Sequence, residues 1–186
     1  MDGGGVERGT LEIAEALTAA GHRSMVMSAG GRLQDDLEAA GSEHWQWPIG
    51  RKHPAVLRLV RPLRRLLVEQ QVDVLHLRSR LPAWIGWLAW RRLDPHRRPA
   101  LVTTVHGFYS VGRYSEIMTR GDRVIAVSKA IAEYIEQHYP RVDRSRVKVI
   151  PRGVDERRFN PDFAPSASWL ESWRTALPQL QIGRAH

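Results

Sequence analysis

With 186 residues, 42% of them hydrophobic and 26% charged, the chain suits one globular domain with a core of its own. No run approaches the ~18 uninterrupted apolar residues of a membrane-spanning helix, nothing after Met1 and Asp2 reads as a secretory signal, and the absence of cysteine excludes disulfides and cysteine-held zinc. The net charge of +8 is almost all arginine, lysine standing only at Lys52, Lys129 and Lys148; it suits an acidic partner such as nucleotide phosphate or an anionic membrane, while no recognition motif for nucleic acid accompanies it.

In chain order, glycines at Gly3, Gly4 and Gly5 open an amphipathic helix over residues 6–20, with Leu11, Ile13, Ala14 and Leu17 as its buried stripe and Gly21-His22 as its stop. Strands follow at 24–28 and 44–47, then a helix over 54–70, a strand at 72–77 and a helix over 81–93. The second half continues with strands at 100–105 and 123–127, a helix over 129–139, a strand at 147–150 and a last helix over 166–177. Continuous apolar strands separated by helices predict an α/β fold, a doubly wound parallel sheet covered on both faces. Such a fold starts with a strand that lies mid-sheet, and only two residues precede the glycines, so a first strand is expected to be missing.

The residues that bear chemistry gather at predicted strand ends. Glycines before a helix let backbone N–H groups approach a ligand, and the helix start favours an anion; a tight turn with no ligand reads equally well from glycine content alone. The spacing Gly3-x-Gly5-x-x-x-Gly9 is not that of a dinucleotide site, and the strand over 24–28 ends in Ser28-Ala29-Gly30-Gly31, without the acid that would hold a ribose. No G-x-x-x-x-G-K-[ST] phosphate loop occurs either. Arg78 and Arg80 follow the strand that ends His76-Leu77; two arginines there can bind phosphate or an acidic sugar, or be ordinary surface arginines of an arginine-rich chain. His106, between an apolar strand and Gly107, can point into a cleft or be a satisfied surface histidine. Ser128 can cap the helix that follows it. Trp84, Trp87 and Trp90 share one broad helical side and read as core rather than as a sugar platform.

The helix over 54–70 is two-faced, with Leu59, Val60, Leu63, Leu66 and Leu67 on one side and Arg58, Arg61, Arg64 and Arg65 on another. That basic face is either a solvated surface or a contact with anionic membrane. Finally, VIPRGVDERRFNP, from Val149 to Pro161, is a strand stopped by Pro151, with Gly153 free to take positive φ in a sharp turn. No His, Asp or Glu cluster with metal-ligand spacing is apparent, so no metal is expected.

Three of these segments together resemble family 4 glycosyltransferases of the GT-B type: GGVERGTLEIAEALTAAGH, the VIAVS run ending at Ser128, and VIPRGVDERRFNP. HLRSRLPAW resembles a stretch found in a lipopolysaccharide-type branch of that family. The resemblance implies the N-terminal, acceptor-side Rossmann-like domain of a retaining enzyme that transfers a sugar from a UDP-, GDP- or ADP-sugar to a glycan or lipid-linked acceptor, without a bound cofactor. It implies that Gly4 and Gly5 face the donor diphosphate and acceptor, that His106 contacts the transferred sugar or acceptor, and that Arg78, Arg80, Ser128 and Arg152 line the substrate cleft. Arg152 stands where many relatives have Asn. It further implies a cytoplasmic protein, with Arg58, Arg61, Arg64 and Arg65 able to hold it peripherally on the inner membrane. The expected organisation is a domain over 1–161 lacking its first strand and a helix within 162–181 leading to an absent donor-binding domain, so that the chain alone is inactive. Residues 182–186, IGRAH, are what ATC GGA AGA GCA CAC, the start of a common sequencing adapter, encodes, and are expected not to be biological, the alternative being a genuine flexible tail. The alternative to a transferase is a non-catalytic basic binding module for membrane or nucleic acid.

Overall fold

The computed structural model describes residues 5–153, 160 and 162–177. The chain divides into two compact units, Met1–Arg152 and Gly153–His186. In the first, helix α1 (Gly5–Ala19) leads to strand β1 (Met25–Ser28), helix α2 (Gln34–Ala39) and strand β2 (Glu43–Gln46). A 3-10 turn, Pro54–Leu59, runs into α3 (Val60–Glu69), followed by β3 (Val74–Leu77), α4 (Arg80–Trp90) and β4 (Ala100–Val105). The unit continues with α5 (Arg113–Glu116), β5 (Arg123–Ala126), α6 (Lys129–His138) and β6 (Val147–Val149).

Every strand pairing is parallel. β1 pairs with β2, Met25 opposite Glu43, and β3, β4, β5 and β6 follow one another in a second sheet. In that sheet Val74 stands opposite Ala100, Val102 opposite Arg123 and Val124 opposite Val147. Among the described residues no strand joins β1 to β3. Parallel neighbours need helical crossovers, and the helices supply the cover that lets β4 bury Leu101, Thr103, Thr104 and Val105. The main core joins Leu101, Val105, Val124 and Ala126 to Ile117, Met118, Ile131 and Ile135. A second cluster packs Val60, Leu63 and Leu67 of α3 on Ile85 and Ala89 of α4, with Met27 and Leu75 at its margin. A third is small: Leu11 and Ala14 of α1 against Leu37 of α2.

The α/β architecture, the strands and the long helices follow the sequence pattern, with some differences. The predicted helix over 54–70 is divided at residue 60. Pro62 has no N–H to give the carbonyl one turn earlier, so the segment before it tightens into a 3-10 turn and the α-helical ladder develops after it. The stripe of α1 is narrower than expected: Leu11 and Ala14 are buried, whereas Ile13 and Leu17 are 38% and 40% exposed because α2 covers only one side. The stop at Gly21 is as expected, with φ of 81° and the His22 N–H bonded to the Leu17 carbonyl at 2.9 Å. Gly153 does not take the positive φ proposed for it; Pro151 alone ends the strand, after Ile150 N–H bonds the Ala126 carbonyl at 3.0 Å. The short α2 and α5 have too few residues for a legible 3.6-residue period.

In the second unit, α7 (Ala167–Ala176) is capped by Ser166, whose hydroxyl accepts from Trp169 N–H at 3.2 Å. Its Trp169 and Trp173 rings lie 5.4 Å apart and no residue of the helix is buried. The predicted turn after Gly153 and the tail over 182–186 lie outside the described residues.

Candidate functional site

The carboxyl ends of β3, β4 and β6 and the first turns of α1 bring His106, Arg78 and Arg152 together, on the edge where open parallel sheets place ligands. His106 follows the last residue of β4, and its backbone N–H bonds the Tyr109 hydroxyl at 3.3 Å, which folds the next loop back on the strand end. The same loop is pinned from α6, where the Tyr134 hydroxyl donates to the Tyr109 carbonyl at 2.5 Å and the Phe108 ring meets Tyr134 edge-on.

Arg152, just past β6, donates through Nη2 to His106 Nδ1 at 2.8 Å and through Nη1 to the Gly5 carbonyl at 3.3 Å. A guanidinium has no lone pair to offer, so Nδ1 must be the acceptor and the proton of a neutral ring sits on Nε2. That ring is neutral: burial, then the charges of Arg78, Arg152 and His76, bring the His106 pKa down to about 4. Its Nε2 is buried and finds no hydrogen-bond partner among the described residues. His106 is thus not the satisfied surface histidine that its sequence context also allowed.

Arg78 is held from behind. Its Nε donates to the Thr10 hydroxyl of α1 at 3.0 Å, and Thr10 donates in turn to the Val6 carbonyl at 2.8 Å. Burial and the neighbouring charge of Arg152 lower its pKa to about 10, with Glu12 opposing, so it is still a cation at neutral pH. No carboxylate lies within ion-pair distance of it among the described residues. Glycines make room for both guanidiniums: a Cβ on Gly5 would stand 2.9 Å from Arg152 Nη1, and one on Gly9 would stand 3.2 Å from Arg78 Nη2. Beneath them His76, its pKa lowered to about 4 by burial and then by Arg78, shares a 2.7 Å hydrogen bond with Thr104.

Arg80 belongs to the next layer out. Its guanidinium lies 4.8 Å from the Tyr109 ring centre and 5.3 Å from that of Tyr114, and donates to the Ser115 hydroxyl at 3.2 Å. Ser128 accepts from Ile131 N–H at 3.2 Å and caps α6. Gly4 lies outside the described residues. Gly5 is the first residue of α1 rather than part of a loop before it. Arg58, Arg61, Arg64 and Arg65 are exposed on the outer face of α3 and its preceding turn, with no partner among the described residues. The sequence reading missed Gly9, Thr10, His76 and Tyr109; the one available signal was Gly9, a glycine inside a predicted helix, which marks close approach by another group. Among the described residues no group of three His, Asp or Glu side chains could hold a metal, and no helix is long and apolar enough to cross a membrane.

A parallel sheet with helical crossovers, bearing His106, Arg78 and Arg152 at its carboxyl edge, is a Rossmann-like half-domain of the GT-B type. Residues 3–158 match the profile of Glycosyltransferase Family 4, and the chain belongs to that family. It is similar to a glycosyltransferase from Rickettsia africae ESF-5, at 31% identity and a TM-score of 0.75 over 96% of this chain and 47% of that one. A likeness in fold extends to Anabaena HepE, whose structure holds UDP and glucose, at 19% identity and a TM-score of 0.66 over 94% of this chain and 47% of that one. The chain thus spans about half the length of both structures. No curated protein matches it.

Proposed function

We propose that this chain is the acceptor-side half of a retaining glycosyltransferase of the lipopolysaccharide-type branch, moving a hexose from a nucleotide sugar to a glycan or lipid-linked acceptor. The observation that carries the reading is His106: neutral, oriented by Arg152, with Nε2–H left without a hydrogen-bond partner among the described residues. In this reading the acceptor hydroxyl attacks the anomeric carbon from the face that the nucleoside diphosphate leaves; the C–O bond to the diphosphate breaks and the hydroxyl proton passes to the departing diphosphate oxygen. Nε2–H donates to a hydroxyl of the transferred sugar or to the attacking oxygen, holding the two reactants in line. Charge builds on the departing diphosphate, and the start of α1 with Arg152 opposes it. A neutral donor suits this position, because a fully charged imidazolium would bind the ground-state diphosphate as tightly as the transition state.

Two matching structures about twice as long as this chain support a second, donor-binding half. Residues 1–186 alone are then inactive. The UDP and glucose held by HepE support a nucleotide sugar as co-substrate. Arg58, Arg61, Arg64 and Arg65, exposed and without a partner among the described residues, favour peripheral attachment to the anionic cytoplasmic face of the inner membrane, where a lipid-linked acceptor resides. The deciding experiment expresses the gene extended at both ends and follows nucleoside diphosphate release from UDP-, GDP- and ADP-sugars, with product anomers assigned by NMR. Release that depends on His106, with retained configuration, supports the reading; no release from any donor overturns it.

A further inference from the structure

We propose that Arg78 binds an anionic group, a carboxylate or a phosphate, carried by the acceptor. The inference rests on the transferase reading and names the class of its second substrate.

The side chain is built to meet an anion. Thr10 takes Nε at 3.0 Å and Gly9 leaves space for Nη2, which fixes the fork with its outer N–H groups unpaired among the described residues. A half-buried guanidinium with no carboxylate in ion-pair contact among the described residues is costly, and the cost is relieved when an anion of matching geometry arrives. Arg152 adds a second positive charge close enough to act on both His106 and Arg78.

Two cations flank one neutral histidine, and they differ in position. Arg152 bonds the carbonyl of Gly5, the first residue of α1, where a diphosphate would meet the helix start. Arg78 contacts Gly9 and Thr10, about one helical turn further along, roughly 6–7 Å away. From Arg78 the basic surface continues through Arg80, whose guanidinium lies beside the Tyr109 and Tyr114 rings, a setting that suits a sugar ring bearing a charge. A diphosphate at the start of α1 serves Arg152, so the anion for Arg78 comes with the other substrate.

The test uses the full-length protein, with glucose, glucuronate and glucose 6-phosphate as probes, titrated by calorimetry or saturation-transfer NMR. Each titration is run alone and with whichever of UDP, GDP or ADP the protein binds held at saturation. The expected result is binding of the two charged sugars about ten-fold tighter than glucose, undiminished by the nucleotide. Arg78→Gln removes that preference, and Arg78→Lys, which keeps the charge without the fork, restores part of it. Equal binding of charged and neutral sugars by the wild type overturns the proposal without any variant. Displacement of the charged probes by the nucleotide also overturns it, because the anion is then the donor's diphosphate. A wild type that releases nucleoside diphosphate from its donor but shows no charge preference sinks this inference alone, whereas one that turns over no donor sinks the transferase reading.

Discussion

Nη2 of Arg152 donates to Nδ1 of His106 across 2.8 Å, and that one bond decides which ring nitrogen of the histidine carries the proton. Side chains far apart in the sequence therefore act as one unit: the arginine supplies orientation and field, and the histidine presents a single N–H.

His106→Ala in the full-length enzyme is expected to lower kcat by about 100-fold or more, the usual scale for losing a placed donor. Arg152→Gln should act more subtly. It frees the tautomer and removes a nearby charge, so the pH profile of kcat/KM gains an acid limb closer to the ordinary histidine range. A profile unchanged in shape would show that Arg152 does not tune His106.

Acid should destabilise the first unit earlier than its carboxylates alone would predict. Folded His76 and His106 are held to about 4, below the ~6.5 of an unfolded histidine, so the unfolded chain takes up these protons first. Stability is then complete above about pH 6.5, declines as pH falls toward 4 and levels off below it. Urea midpoints measured from pH 7.5 to 4 check this, and His76→Gln should flatten the decline.

Gly9→Ala separates stability from binding. The added Cβ favours α1 by up to about 1 kcal/mol, and the atom it meets, Arg78 Nη2 at 3.2 Å, is the end of a flexible side chain that can yield. The variant is expected to melt at or above the wild-type temperature while binding anionic ligands more weakly; calorimetry on the same sample reads both.

Ser128→Ala should cost about 1 kcal/mol through loss of the α6 cap, since its hydroxyl accepts from Ile131 N–H at 3.2 Å. A chemical denaturation curve is enough, and a change near zero would show the cap to be replaced by water.

Replacing Arg58, Arg61, Arg64 and Arg65 with glutamine removes four exposed charges from one face. At roughly 1 kcal/mol each, co-sedimentation with vesicles rich in phosphatidylglycerol should weaken by about three orders of magnitude. Neutral vesicles should bind neither protein, and added salt should release the wild type.

Most of the fold is written in local patterns. β4 is predicted with its observed ends because six apolar or β-branched residues stand between Pro99 and His106. Positions were legible where the strand ends were: His106 and Arg152 are flagged by the Gly107 and Pro151 beside them. What the sequence withheld is side-chain partnership. Nothing local says that Arg78 reaches Thr10, 68 residues away, or that His106 meets Arg152, 46 residues away. Ser128 shows the reverse: its cap was legible because it is satisfied three residues along the chain. Gly153 was misread because a proline can end a strand without a left-handed residue after it.

The two sheets of the first unit share no ladder among the described residues. They are stitched by side chains: Arg23 to Gln70 at 2.7 Å, Thr10 to Arg78, Gly5 to Arg152, and Met27 and Leu75 beside one apolar cluster. α1 belongs with Leu37 on one side of this seam, and Arg78 and His106 belong with β3 and β4 on the other. A two-stranded sheet is marginal by itself, so the side of β1, β2 and α1 is expected to open before the four-stranded sheet, which amide exchange would check. Opening there takes the site apart while leaving His106 on its strand. An anion bound across the seam acts as a weld: it should slow amide exchange in α1, and leave β4, which lies between β3 and β5, unaffected.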